Sequence, residues 1–404
     1  MLAAGIVVEY NPLHNGHLYH IEKTKEMTDA DCLIAVMSGN FLQRGEPALA
    51  SKFARTKMAL LAGCDLVVEL PYAFSTQHAE IFARGAVEIL SALDCSYLVF
   101  GSEDGEISRF LDTVSLLDRY EDQIDAVIHD ILKAGVSYPR AYQQAFLSVC
   151  QEPVPLDFTR PNNMLGLNYV KAIKQANSSV KPLTIKRAGG EYHDPNLSET
   201  SFASATAIRN SIFTNDHSLD AIQSYIPETT FETLQDFYRE FATYATWEHL
   251  WPYLKYELMV RSPDELRTIY EMEEGLEGRM KTVASRTTTF QSFMTELKTK
   301  RYTWTRLQRA ALHVLTGTKK ADMKARSQKA EYIRILGMNK RGRAYLNQKK
   351  KQLALPIISR LSREHSELLA LDIKATHIYS FAFGTKSGQK LITAEWSRPP
   401  LILE

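Results

Sequence analysis

Cysteine is scarce in this chain. There are four in 404 residues, at positions 32, 64, 95 and 150, with no Cys-x-x-Cys pair. That spacing argues against a disulfide framework and against a thiolate zinc site. Cys32, Cys64 and Cys95 each stand beside an apolar run and read as small buried thiols. Long hydrophobic runs are missing too: no stretch reaches the roughly 18 apolar residues of a membrane span. The apolar start leads straight into a polar motif, without the basic flank and cleavage site of a secretory signal, so a cytoplasmic protein is expected. Internal repeats and low-complexity tracts are absent. Nor is there an excess of charge, since 48 Lys and Arg face 47 Asp and Glu. What remains, 45% hydrophobic and 24% charged, suits a globular chain long enough for two or three domains.

The even balance hides an asymmetry. Residues 295–352 hold 17 Lys or Arg against 3 Asp or Glu, leaving 31 basic and 44 acidic residues elsewhere. One basic segment on an acidic remainder points to a polyanionic partner. Within it, Lys298, Lys300, Arg301, Arg306 and Arg309 interleave with Tyr302 and Trp304. Cations beside aromatics suit contact with an RNA backbone and stacking on an unpaired base. The two aromatics fit the core side of a helix equally well.

The first half alternates strand and helix signals. Strands are expected at 3–10, 32–38, 65–70, 97–101 and 183–187, and helices at 16–28, 51–62, 78–93 and 107–119. This predicts an α/β, Rossmann-like parallel sheet with right-handed crossovers. In the doubly wound order 3-2-1-4-5, the loops after Tyr10 and Phe100 face each other across the switch point. From about 218 glycine thins, strand signals fade, and helices are expected at 219–225, 229–243, 249–260, 263–274, 277–285, 287–299 and 304–315. The expected division is a catalytic domain over 1–217 and a mainly α-helical, basic domain over 218–404. A strand-like run at 377–383 has no assigned place.

Chemistry-bearing residues gather on the turns. Asn11-Pro12-Leu13-His14-Asn15-Gly16-His17 joins the first strand to the first helix. In H-x-G-H two imidazoles reach one phosphate, Gly16 clears the approach, and the helix N-terminus adds partial positive charge. The loop 37–47 carries Asn40, Gln43 and Arg44 at the end of the second strand, where substrates bind. Lys52 and Arg55 open the next helix and either reach phosphate or lie on a solvated face. His78 and Glu80 follow the third strand, more in keeping with structural or surface roles than with substrate contact. Asn162 either bonds a ribose or base edge or caps its own helix. Arg187 ends the fifth strand. Ser204 to Arg209 reads as a capped helix start whose hydroxyls and amides hold phosphate and whose cation neutralises departing pyrophosphate.

H-x-G-H after the first strand, with S-x-x-x-I-R near residue 209, resembles the nucleotidyltransferases of the class I synthetase-like fold. GIVVEYNPLHNGH, SGNFLQRGEPA, FARTKMAL, VVELP, FGSE, RPNNMLG and SATAIR, in that order over roughly residues 5–210, look like the bacterial tRNA(Met) cytidine acetate ligases. The resemblance implies two steps. ATP and acetate give acetyl-adenylate and pyrophosphate. The exocyclic amine of the wobble cytidine of elongator tRNA(Met) then takes the acetyl group, releasing AMP. Carried onto this sequence, it places ATP against Val7, Val8, Glu9, Tyr10, Asn11, Pro12, Leu13, His14, Asn15, Gly16, His17, Leu18, Tyr19 and His20, with Gly101, Asn162, Arg187 and Ala188. His14 and His17 would be the catalytic pair on the phosphates. Mg2+ is expected with the triphosphate. Position alone puts Asn40, Gln43, Arg44, Ser204 and Arg209 near the other substrates. The KMSKS loop of tRNA synthetases does not occur, and Ser204 to Arg209 is its nearest counterpart. Two alternatives stay open: a small-molecule adenylyltransferase, and a non-catalytic RNA-binding protein with a relic nucleotide pocket.

Overall fold

Strands buried on both faces read as unbroken apolar runs, and the first half of the chain supplies several. The structure, a computed structural model, describes residues 1–136, 138–187 and 202–404. In chain order the first half forms β1 (Ala3–Val8), α1 (Asn15–Thr28), β2 (Cys32–Ser38), α2 (Lys52–Leu61), β3 (Leu66–Leu70), α3 (Tyr72–Ser75), α4 (Ala79–Ala92) and β4 (Tyr97–Ser102). It continues with α5 (Ile107–Arg119), α6 (Glu121–Lys133), α7 (Tyr138–Val149), α8 (Pro161–Gln175), β5 (Lys181–Lys186) and α9 (Ala205–Thr214).

The five strands pair in parallel in the order β5-β4-β1-β2-β3, the doubly wound order predicted. β1 pairs with β2 along six residues but with β4 only at Ala4–Tyr97 and Gly5–Leu98. The strands on either side of the switch point therefore diverge toward their C-terminal ends and open a crevice there. At the closed end, a Cβ on Gly5 would lie 2.3 Å from Leu90, so α4 packs directly on the strand backbone. Successive side chains of β1 enter opposite cores. Ala4, Ile6 and Val8 pack with the α1 and α2 side, and Ala3 with the α4 and α8 side.

The second half comprises α10 (Glu228–Phe241), α11 (Trp247–Val260), α12 (Pro263–Arg267), α13 (Leu276–Arg286), α14 (Phe290–Leu297), α15 (Trp304–Thr316) and α16 (Lys320–Arg326). Then come β6 (Ile333–Met338), α17 (Lys340–Lys349), β7 (Ile357–Ile358), α18 (Ala370–Ser380), α19 (Gly384–Ser397) and β8 (Leu401–Ile402). Two expectations change. The strand signal does not end in the first half: β6 pairs antiparallel with β3, and β7 and β8 pair with β6, so among the described residues the sheet has eight strands. The strand-like run at 377–383 is the end of α18 and a 3-10 turn (Phe381–Phe383). Ala375, Tyr379 and Phe383 recur every fourth residue in one core, so the helical period prevails over the alternation seen locally. Among the described residues no helix is long and apolar enough to cross a membrane.

Candidate active site

The crevice at the switch point is a cleft of about 280 Å³. Segments far apart in sequence meet there: Val7 to Asn11, the start of α1, the loop after β2, Gly101, the start of α8, Arg187 and the start of α9. Of the predicted nucleotide segment, Val7, Val8, Glu9, Tyr10, Asn11, His14, Gly16, His17, Tyr19 and His20 line it. Pro12 and Leu13 are buried, Asn15 donates to Ser224 O at 2.9 Å, and Leu18 N bonds His14 O at 3.1 Å; none of the four is on the lining. Gly101, Asn162, Arg187, Gln43, Arg44, Ser204 and Arg209 all reach the cleft. Ala188 lies outside the described residues.

The two motif histidines are held by backbone. His14 is the N-cap of α1, and its Nδ1 accepts from Gly16 N at 3.1 Å. His17 Nδ1 accepts from His14 N at 3.3 Å, closing a capping box with two imidazoles. The rings stack with centroids 3.8 Å apart. Because each Nδ1 accepts, each neutral ring carries its proton on Nε2. Burial, with Arg187 and Arg209 nearby, lowers the His14 pKa to about 3. Burial, His14 and Arg187 hold His17 well below its ordinary value, and burial with Arg187 lowers His20 to about 4. All three are neutral near pH 7. Gly16 earns its place by geometry, since a Cβ there would sit 3.0 Å from the His14 ring.

The other walls are built as firmly. Arg209 donates to Asn11 O at 2.9 Å and pairs with Glu46 at 3.1 Å, tying α9 to the motif turn. Ser204 caps α9 by accepting from Ala207 N at 3.0 Å. Glu103 accepts from Asn162 Nδ2 at 2.7 Å and from Asn163 N at 2.7 Å. Asn163 Oδ1 in turn accepts from the amides of Glu103 and Asp104 at 3.0 and 3.1 Å. The Glu103–Asn163 clamp was missed from sequence: both segments were marked, but nothing local says which asparagine holds the loop.

Some expectations resolve against the cleft. Asn40 is buried off the lining; its Oδ1 accepts from Lys52 N at 2.8 Å and its Nδ2 donates to Thr376 at 3.1 Å. It binds the first amide of α2, a helix that Ser51 caps, and ties that helix start to α18 through Thr376. Lys52 and Arg55 take neither role foreseen for them, for both are buried. Arg55 binds the carbonyls of Glu9 and Ser38 at 2.7 and 3.0 Å, along with that of Gly39, and so holds the ends of β1 and β2.

Residues 1–393 match the family model for the HIGH Nucleotidyl Transferase family. Over 403 residues and the full length of both chains, the sequence is 47% identical to a tRNA(Met) cytidine acetate ligase of Geobacillus sp. (strain WCH70). It is 46% identical to that of Bacillus subtilis (strain 168), covering 99% of this chain and 97% of that one. The chain belongs to the tRNA(Met) cytidine acetate ligase family. Its fold superposes on apo Thermotoga maritima TmcAL with a TM-score of 0.92 at 34% identity over all of both chains. The same enzyme bound with alpha-thio ATP gives 0.91, again over the full length of both.

In this ligase fold the basic segment is dispersed, and two of its parts lie far from each other. α15 abuts the cleft loop: Gln308 Nε2 donates to Arg44 O at 2.9 Å, and a Cβ on Gly45 would meet the Arg309 backbone at 2.9 Å. Lys298, Lys300 and Arg301 are exposed beside it, Arg301 pairing with Glu274 at 2.8 Å. The Arg306 guanidinium lies 4.8 Å from the centroid of the Tyr302 ring. Arg309 is buried and binds Glu271 at 2.7 Å, and Tyr302 is buried with its hydroxyl on Glu274, so both serve packing. The cations of α17 lie at the opposite end of the sheet. There Asn339 N bonds Asp65 O and Lys349 pairs with Asp94, just before β3 and β4 begin.

Proposed function

We propose that this chain activates acetate with ATP and transfers the acetyl group to N4 of the wobble cytidine of elongator tRNA(Met), releasing pyrophosphate and AMP. The observation that carries this reading is the pair of neutral imidazoles whose Nδ1 atoms are both occupied by backbone amides. Among the described residues no hydrogen bond engages either Nε2. Two pre-aimed N–H donors in a cleft stabilise charge as it develops on the phosphates during attack by acetate at the α-phosphate. The N-termini of α1 and α9 and the guanidinium of Arg209 border the same space and favour the leaving pyrophosphate. Gly101, Asn162, Arg187 and Ala188 belong to the nucleotide side of this reading, and Gln43, Arg44 and Ser204 to the rim met by the other substrates.

Among the described residues, no three His, Cys, Asp or Glu stand together as a metal site. An Mg2+ ion would instead be carried by oxygens of the triphosphate itself, where it would neutralise phosphate charge. We assign residues 1–217 to nucleotide chemistry and 218–404 to tRNA, with Lys298, Lys300, Arg301 and Arg306, on α15 and the segment before it, as phosphate contacts. Cytoplasmic location follows from a tRNA substrate. Small-molecule adenylylation would leave the exposed Lys298, Lys300 and Arg301 without a role.

The test uses radiolabelled acetate, ATP, magnesium and unmodified elongator tRNA(Met), followed by digestion to nucleosides. ATP-dependent label in N4-acetylcytidine is expected. ATP consumption with a phosphorylated metabolite, and no label in RNA, would overturn the reading.

A further inference from the structure

Glu9 follows the end of β1 in the cleft wall, within the segment that the resemblance places against ATP, yet the chemistry of acetate activation uses no carboxylate there. A carboxylate facing a triphosphate site is out of place by charge, so its position asks for another partner. The residue is fixed: Oε1 accepts from Gln43 N at 2.7 Å and lies 3.5 Å from Ser38 Oγ. Among the described residues Oε2 has no hydrogen-bond partner, and it is not sealed from solvent. Its neighbourhood differs from that of the histidines. Glu9 acts on Tyr169 of α8, and Phe82 of α4 and Phe100 of β4 complete that part of the lining. The cleft thus has one side where His14, His17 and Arg187 converge and another where the open carboxylate oxygen of Glu9 lies by Tyr169, with Arg44 and Glu46 at its edge. The Glu9 side suits a flat, uncharged ring that donates a hydrogen bond. A carboxylate accepting from the N4 amine is the standard way a side chain reads cytosine.

We propose that Glu9 Oε2 receives the target cytosine's N4 amine and accepts its proton as the acetyl group is transferred. This rests on the reading given under Proposed function. In that step the N4–C bond forms and the acyl C–O bond to the α-phosphate breaks. AMP leaves with the bonding pair, and one N4 proton passes to Glu9. The charged groups facing Glu9 are Arg44 and Glu46 from the loop after β2 and Arg55 from α2. Burial leads the balance that raises its pKa above the ordinary carboxylate value, in the direction that makes it a better base.

The test separates the half-reactions. Glu9→Gln keeps an oxygen for Gln43 N but replaces the open oxygen with an amide NH2, which donates and cannot accept. Acetate-dependent ATP–pyrophosphate exchange reports activation. Single-turnover transfer from added acetyl-adenylate to tRNA(Met) reports the second step. General-base losses run at about 100-fold or more, so the ratio of transfer to exchange should fall by about that factor. Wild-type transfer should decline as pH falls through the Glu9 pKa, and the variant should lose that acid limb. A ratio within about threefold of wild type, or an acid limb that persists in the variant, overturns the proposal. Glu9→Asp serves if the glutamine form does not fold: it should transfer more slowly yet keep the acid limb, and loss of the limb there also overturns it. Absence of acetate-dependent exchange in the wild type would instead refute the ligase reading itself.

Discussion

Two clusters of charged and polar side chains lie near the C-terminal ends of the central strands, and they differ in how fully they are satisfied. One is the buried set Lys52, Glu69, Arg334 and Glu395. Lys52 Nζ contacts both oxygens of Glu69 at 2.7 and 2.8 Å and Glu395 at 3.0 Å. Arg334 reaches Glu395 at 2.7 Å and Glu69 at 3.4 Å, and Thr376 donates to the other Glu395 oxygen at 3.0 Å. Every charge there has its partners inside the protein. In the cleft, by contrast, Nε2 of His14 and of His17 and Oε2 of Glu9 have none among the described residues, and Asn11 Nδ2 and His20 Nε2 are buried without one. His14 Nε2, His17 Nε2 and Glu9 Oε2 belong to residues that line an open cleft, so a bound ligand can supply the partners that the protein does not. Saturation separates the two clusters better than residue type does.

The largest effect expected from this contrast is on stability. Removing one member of a buried ion cluster leaves uncompensated charge and typically costs about 3–5 kcal/mol. Lys52→Met should therefore lower the urea unfolding free energy by about that amount, while the folded fraction binds ATP within a few fold of wild type. Loss of ATP binding at unchanged stability would make the buried set part of the site and break the comparison.

Next comes the opposite pattern. His17→Ala removes a donor aimed at developing charge, an effect of about 100- to 1,000-fold in rate. Its stability should change by no more than the loss of a cap, about 1 kcal/mol. Acetate-dependent pyrophosphate exchange and thermal unfolding on the same sample check both halves of this expectation.

The same contrast explains what the sequence made legible. The strand-turn-helix punctuation around His14, Gly101 and Ser204 is local, and the order of the first five strands follows from general rules of α/β topology. β6 was hidden because Arg334 interrupts an apolar run inside a basic stretch. Its burial depends on Glu69 and Glu395, which no local pattern connects to it. Asn40 and Arg309 looked like contact residues for the same reason. One is consumed by a helix start and Thr376, the other by Glu271. Sequence names polar residues near a site, but only the fold tells which of them are already spent on one another.

A third expectation concerns pH. Burial, aided by Arg187 and Arg209, brings the folded-state pKa of His14 to about 3, below its unfolded value near 6.5. Between those values the unfolded chain binds more protons than the folded one. The stability present above pH 6.5 is therefore lost as pH falls toward 3, with His14 alone accounting for about 2 kcal/mol by pH 5. His14→Asn keeps an N-cap acceptor and should show a shallower loss between pH 7 and pH 5 in urea midpoints. An identical slope in both proteins would place the acid sensitivity elsewhere.

The smallest effect tests the dispersed basic segment. If Lys300, Arg301 and Arg306 meet tRNA phosphates, replacing all three by Ala should weaken tRNA binding by about tenfold and reduce the slope of log K against log salt by up to about three. Arg309→Ala should lower stability, because its charge is matched by Glu271, and leave the salt slope unchanged. Replacing Lys340 and Arg341 on α17, at the far end of the sheet, should alter neither. A salt slope that falls equally for the α17 pair and the α15 set would mean that RNA wraps both ends of the sheet, and that a cation's place relative to the cleft does not decide its use.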